Sequence, residues 1–367
     1  MAWIRLPTRN NPLSSFLNLL NYQSSHPPKT ITMAVCQSNS KRPTCPSCSK
    51  PYRLCLCTRI QNPGLDNKVS VTVLQHSLER KHPLNSVRIA KLGLRNVNVV
   101  TVSDVNFDAS FIIRLLESNS GGWESLNLDG VLDRKENQKR KIEDIDGSCS
   151  VAVNMGKGYS DEEPVIFATI GKCGEMNELE SIWKWKPQVH PQENSNFDQI
   201  LASKGAINDL EKGFIVKKLQ RKQSNGSSTD MEEYEEFELV IPSGSVLLFP
   251  SEKAVGVDEL LQEMNIGVKN LIVLDGTWAK AKRMYMENPW LRILPHLKLN
   301  LDKLSLYSEV RSQPKAGCLS SIESIVYALK AVGDNPEGLD SLLDVFESMV
   351  GDQRRCKDER LRKEHVI

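Results

Sequence analysis

Two short apolar runs constrain this chain more than anything else in it. VSVTVL at residues 69–74 and NVNVVTV at 96–102 are dominated by valine, and branched runs of that length suit strands. Between them Pro83 fits a helical first turn, and Leu84, Val87, Ala90 and Leu94 recur at helical spacing. A strand, a helix and a strand in succession make a parallel pair, so the fold class is α/β with a parallel sheet. Two further runs repeat the pattern. Val246 to Phe249 ends in Pro250-Ser251-Glu252, and NLIVLD at 270–275 turns sharply at Asp275-Gly276. In open α/β sheets the ligand crevice lies outside the carboxyl ends of the strands, which is where Ser251 and Asp275 fall.

With 367 residues, 40% apolar and 25% charged, the chain can bury one substantial core with room for a small accessory domain. Its net charge of +1 conceals segregation, because no acid precedes Asp66 and the tail 351–367 is dense in Arg and Lys. Basic ends suit an anionic partner. No apolar run approaches the roughly 20 residues that a membrane-spanning helix needs, which excludes that class. Residues 1–40 are rich in Ser, Asn and Pro, and carry Arg5, Arg9 and Lys29. That composition is transit-like, and equally that of an unstructured tail. Met33 offers a second start. The expected location is cytoplasm or nucleus, or an organelle if translation begins at Met1. Residues 104–236 read as a long low-complexity insertion, charged and weakly periodic. Its cationic run Arg134 to Lys141 fits a solvated loop better than a nuclear-localisation signal.

Four of the nine cysteines cluster in CPSCSKPYRLCLC. An odd count with no secretion signal argues for a reducing compartment. Two close pairs, Cys45 with Cys48 and Cys55 with Cys57, can surround one Zn²⁺, and a small structural knuckle over 41–62 is the reading adopted here. Reduced, unliganded thiols are the alternative. Lys50, Arg53 and Arg59 are placed to meet phosphate.

The DGTW turn admits two readings. Asp275 at a strand end beside an indole suits a general base. Asp-Gly is also an ordinary turn, Thr277 an ordinary helix N-cap, and Trp278 an ordinary core residue. Downstream, Ser320 and Glu323 form a capping box ahead of the stripe Ile322, Ile325, Val326 and Leu329. The loop before that helix holds Tyr307, Arg311, Gln313 and Lys315, and cations at a helix N-terminus can hold a carboxylate or phosphate.

Taken in order, CPSCSKPYRLCLC, LQHSLERKHPLNS, LLFPSEKA, LIVLDGTWAKAKRMYMENPWLRILP and YSEVRSQPKAGCLSSIESI resemble the DTW-domain family, which contains the tRNA-uridine aminocarboxypropyltransferases. The matches cover about 41–103 and 237–335, on both sides of the insertion. The resemblance implies a catalytic domain over 68–103 and 237–350 with a SPOUT-like α/β knot. It implies S-adenosylmethionine as donor, tRNA as acceptor, and transfer of an aminocarboxypropyl group to N3 of a uridine, with a D-loop position suggested by the tight CLC pair. Asp275, Thr277 and Trp278 would be catalytic. Phe249, Pro250 and Ser251 would form one donor loop, Leu274 and Gly276 would bind the donor from the DGTW strand end, and Leu319, Ser320, Ser321 and Glu323 would form another donor loop, with Arg311 gripping the donor or the tRNA. The chain departs from the family pattern at Glu309 within YSEVRSQP. RNA methyl transfer and a non-catalytic zinc-bearing RNA-binding module are the competing functions.

Overall fold

A computed structural model of the chain describes residues 43–116, 165–183, 197–223, 231–301, 303–310 and 317–364. Residues 1–40 and the cationic run 134–141 lie outside the described residues. In chain order the elements are β1 (Ser70–His76), α1 (Val87–Gly93), β2 (Val97–Val102), β3 (Ala109–Leu115), β4 (Ile166–Ile170), β5 (Met176–Ser181), α2 (Phe197–Leu201), α3 (Lys204–Leu210), β6 (Gly213–Gln223), β7 (Met231–Pro242), β8 (Ser245–Leu248), β9 (Asn270–Asp275), α4 (Trp278–Met286), β10 (His296–Leu297), α5 (Ser321–Ala331) and α6 (Ser341–Glu364).

Five of these strands form a parallel sheet in the order β10-β8-β9-β1-β2. β1 is an interior strand, and six of its seven residues are buried, as expected of a strand covered on both faces. Val71, Val73, Leu271 and Val273 pack into a core shared with α1, α5 and α6, whereas Leu74, Leu247 and Ile272 face a second core beneath α4. Burying each such side chain contributes about 1.5–3 kcal/mol, so the valine run of β1 commits that segment to the sheet interior, while the run of β2 forms a half-buried edge strand. The register places Gln75 opposite Asp275.

α1 begins at Val87, later than the Pro83 start that the spacing predicts. Local hydrogen bonds compete successfully for the intervening chain. Asn85 Nδ2 donates to the Glu79 carbonyl (3.1 Å), Ser77 N to Val102 O (2.8 Å), and the Tyr307 hydroxyl to the Leu84 carbonyl. Gly93 lets α6 approach α1, since a Cβ there would stand 2.3 Å from Leu342 Cδ2.

The expectation of a low-complexity insertion fails for the described part of 104–236. Residues there build an antiparallel sheet in the order β5-β4-β3-β6-β7. Its alternation is disguised because one inward row, Phe214, Val216, Lys218 and Gln220, mixes apolar and polar side chains. Lys218 is 0% exposed and pairs with Glu236 at 2.9 Å, which itself accepts from Ser103 N and Gln220 Nε2. Burying such a pair is tolerable only with both ions partnered. The stretch read as a basic tail is also ordered to Glu364, as the last turns of α6. Asp352 in that helix pairs with Arg59 at 2.7 Å.

Candidate active site

The turn between β9 and α4 follows from its four residues. Asp275 closes the strand, and Gly276 lets the chain pass the helix, since a Cβ there would lie 3.0 Å from that of Lys280. Thr277 then caps α4, its hydroxyl accepting from Lys280 N at 3.4 Å. The Asp275 carboxylate is 7% exposed. Gln75 Nε2 donates to Oδ2 at 2.8 Å, and the Ser321 hydroxyl, on the first residue of α5, donates to Oδ1 at 2.5 Å. Two strands and a helix thus fix one carboxylate, while each oxygen retains acceptor capacity.

Around it lies a cavity of about 360 Å³. Phe249, Pro250, Leu274, Asp275, Gly276, Thr277, Trp278, Leu319, Ser320 and Ser321 all line it, so three loops far apart in sequence converge as the strand ends require. The Trp278 indole N–H donates to Cys318 Sγ at 3.0 Å. Its ring lies 6.3 Å from that of Phe249, which stacks on Tyr285 at 4.8 Å. This is an aromatic wall suited to a heterocycle or a cation.

Two expected ligand residues do other work. Ser251 does not line the cavity. Its hydroxyl meets His296 Nδ1 at 2.5 Å, and His296 Nε2 pairs with the Leu291 carbonyl at 2.9 Å. Burial lowers His296 to about 4, so the imidazole is neutral, donates through Nε2 and accepts the Ser251 proton at Nδ1. The pair pins the Phe249-Pro250 loop to β10. Glu323 is 2% exposed and receives Ser305 Oγ (2.5 Å), Leu306 N (3.0 Å) and Ser320 N (2.7 Å), while its own N–H donates to Ser320 Oγ. It is a capping box that also straps residues 305–306 to α5. Arg311 lies outside the described residues.

Other lining residues are Glu79, Asn85 and Ser86, within the LQHSLERKHPLNS stretch but given no role there, Tyr307 and Cys318 from the stretch before α5, and Lys298, which carried no sequence signal. Gln75 was hidden inside an apolar strand, and only the β1–β9 register reveals it. Lys280 reaches back to Glu79 at 2.9 Å, so this cation is held by the protein. The Asn85 side-chain oxygen is buried without a hydrogen-bond partner. Such an acceptor is costly unless a ligand N–H satisfies it.

The four clustered cysteines come together as their spacing predicts. Their sulfurs lie within 4.8 Å of one another, with Cys45 to Cys57 at 3.8 Å and Cys48 to Cys55 at 3.7 Å. Zn–S bonds of about 2.3 Å set the sulfurs of a tetrahedron about 3.8 Å apart, so the donor set fits a closed, structural zinc site. Burial pushes the Cys57 thiol up to about 12 and also raises Cys55, whereas the Cys48 backbone N–H draws Cys45 down to about 6. A dication is what would allow four thiolates to coexist there. Of the cations around the knuckle, Lys50 is buried and donates to Pro83 O at 2.5 Å, and Arg59 is paired with Asp352. Of these three, Arg53 is the one that stays exposed to meet phosphate.

Comparison with known proteins finds a family match for the sequence. The family profile described as DTW domain matches residues 42–120 and 192–354. Two curated proteins named tRNA-uridine aminocarboxypropyltransferase 2 are similar to parts of the chain. The one from Macaca fascicularis is 29% identical over 126 residues, 34% of this chain and 42% of its own length. The one from Drosophila melanogaster is 36% identical over 93 residues, 25% of this chain and 36% of its own. The chain therefore spans about two fifths of the length of the curated relatives it matches. No solved structure matches it. Among the described residues, no helix is long and apolar enough to cross a membrane.

Proposed function

The chain belongs to the DTW-domain family, and from that premise we propose that it transfers the 3-amino-3-carboxypropyl group of S-adenosylmethionine to N3 of a uridine in tRNA, in the D-loop, releasing methylthioadenosine. The observation that carries the reading is the Asp275 carboxylate, held by Gln75 and Ser321 against a cavity at the carboxyl ends of the parallel strands.

The sulfonium of the donor makes its adjacent carbons electrophilic, and the carbon that faces the acceptor in line decides the product. The acceptor is an imide N–H, weakly nucleophilic until its proton is withdrawn. Asp275 takes that proton as the N3–carbon bond forms and the carbon–sulfur bond breaks. Gln75 and Ser321 keep the carboxylate aimed during this step. Trp278 and Phe249 wall the cavity against a ring or the sulfonium, excluding water. The Trp278 and Ala279 amides at the start of α4, ahead of the Lys280 amide that Thr277 caps, offer donors for a carboxylate. The cysteine knuckle would hold its zinc as a structural element, with Cys45, Cys48, Cys55 and Cys57 as ligands.

The test is the small-molecule by-product of incubation with tRNA and S-adenosylmethionine. Methylthioadenosine supports aminocarboxypropyl transfer, and S-adenosylhomocysteine would replace the reading with methyl transfer.

A further inference from the structure

The two most exposed large apolar side chains among the described residues are Leu304, at 73%, and Leu78, at 67%. Neither lines the cavity itself, and both adjoin residues that do. Leu78 directly precedes Glu79, a lining residue on the loop that also supplies Leu84, Asn85 and Ser86. Leu304 belongs to the segment that lines the cavity through Lys298, Leu299 and Tyr307. Neighbouring Lys303 has its carbonyl 3.8 Å from where a Cβ on Gly317, another lining residue, would stand. The Tyr307 hydroxyl bonds the Leu84 carbonyl, joining the two segments.

Exposure of Leu78 is not a matter of a slack loop. Lys50 holds Pro83 O, Arg88 holds Arg80 O at 3.0 Å, Asn85 holds Glu79 O, and Lys280 holds the Glu79 carboxylate. A fixed backbone thus presents an apolar side chain to solvent next to a residue that lines the cavity.

Charge completes the pattern. Arg80, Lys81, Lys298 and Lys303 are exposed on the same two segments. Arg80, Lys81 and Lys298 have no carboxylate partner within 4 Å among the described residues, and Lys303 lies over the Tyr327 ring at 4.7 Å. The loop's one acid, Glu79, is buried and tied to Lys280, and Asp302 is not among the described residues. The edge strand β7 differs, for it exposes Glu232, Glu233, Glu235 and Glu238, of which Glu232 pairs with Lys222 and Glu235 with Lys217.

We propose that Leu78 and Leu304 are the two lips of an RNA-receiving rim, packing against the bases that flank a splayed-out nucleotide while Arg80, Lys81 and Lys298 hold the adjoining phosphates. Chemistry on a base requires that it leave its stack, and apolar side chains inserted beside the gap stabilise the opened state. Phosphate contacts set position and salt dependence. The inference rests on the tRNA reading above and deepens it by naming the surface.

The experiment compares wild type with Leu78→Ala/Leu304→Ala and with Arg80→Ser/Lys81→Ser, measuring tRNA affinity across a salt series, single-turnover transfer, S-adenosylmethionine binding without RNA, and thermal midpoint. The leucine variant is expected to lose transfer by about fivefold or more, with donor binding, midpoint and salt slope unchanged. The cation variant is expected to bind tRNA more weakly, with a salt slope shallower by about 1.5–2 units. Wild-type rates and affinities in both variants would overturn the rim. Wild type that binds tRNA but forms no product would sink the function reading instead, and the variants' affinities would then decide the rim by themselves.

Discussion

Replacing Gln75 with Leu isolates the support of the carboxylate from the carboxylate itself. Gln75 is 5% exposed, lies opposite Asp275 in the parallel register, and donates to Oδ2 at 2.8 Å. Nothing at those depths lets water replace the lost donor freely. A hydrogen bond to a charged group contributes about 1.5–3 kcal/mol, and each 1.36 kcal/mol of barrier is about tenfold in rate. If Asp275 must stay aimed at the acceptor proton, Gln75→Leu should slow single-turnover transfer by about 10- to 150-fold. Donor binding should change little, because Ser321 still holds Oδ1. The assay is rapid-quench transfer to tRNA under saturating enzyme, with the folded fraction measured in parallel. A rate within about twofold of wild type in folded enzyme would refute the reasoning. Gln75 would then be a structural pairing of two strands and nothing more.

Other elements give sharper structural tests. Lys218→Met should destabilise the second sheet by about 3–5 kcal/mol by orphaning the buried Glu236, and adding Glu236→Gln should recover much of it, both read from urea midpoints. Chelation or Cys48→Ser should release about one zinc per chain by mass spectrometry and lower the thermal midpoint, since Cys45, Cys48 and Leu56 are part of the core shared with α6. His296 is depressed to about 4 by burial, below its unfolded value of about 6.5. Between those values the unfolded chain binds more protons, so its contribution is present above pH 6.5 and is lost as pH falls toward 4. His296→Gln should flatten that part of the stability profile. Glu323→Ala should cost about 1–2 kcal/mol through the lost cap, while Glu323→Gln keeps most of it.

The parallel sheet was legible because its strands are short apolar runs, and in β1 and β9 burial on both faces leaves one reading. Its site was legible for the same reason: strand ends at Phe249 and Asp275 must converge, and the residues after them line the cavity. Ser251 misled because position along the chain does not say which way a side chain turns, and His296 offers it a better partner than the cavity does. Glu323 was seen as a cap and as a ligand contact, and in the structure its buried carboxylate receives Ser305, Leu306 and Ser320, which is the work of a cap. The second sheet escaped because Lys218 and Gln220 occupy inward positions, which breaks the alternation that marks a half-buried strand. Gln75 escaped because only pairing across 200 residues reveals its neighbour.

The measurement that bears most directly on the central claim is nucleoside mass spectrometry of unmodified tRNA after incubation with S-adenosylmethionine and the protein, wild type beside Asp275→Ala. The account predicts a uridine heavier by one 3-amino-3-carboxypropyl group with wild type and none with the variant. A methylated nucleoside, equal product from the variant, or no product from a wild type that binds tRNA would contradict it.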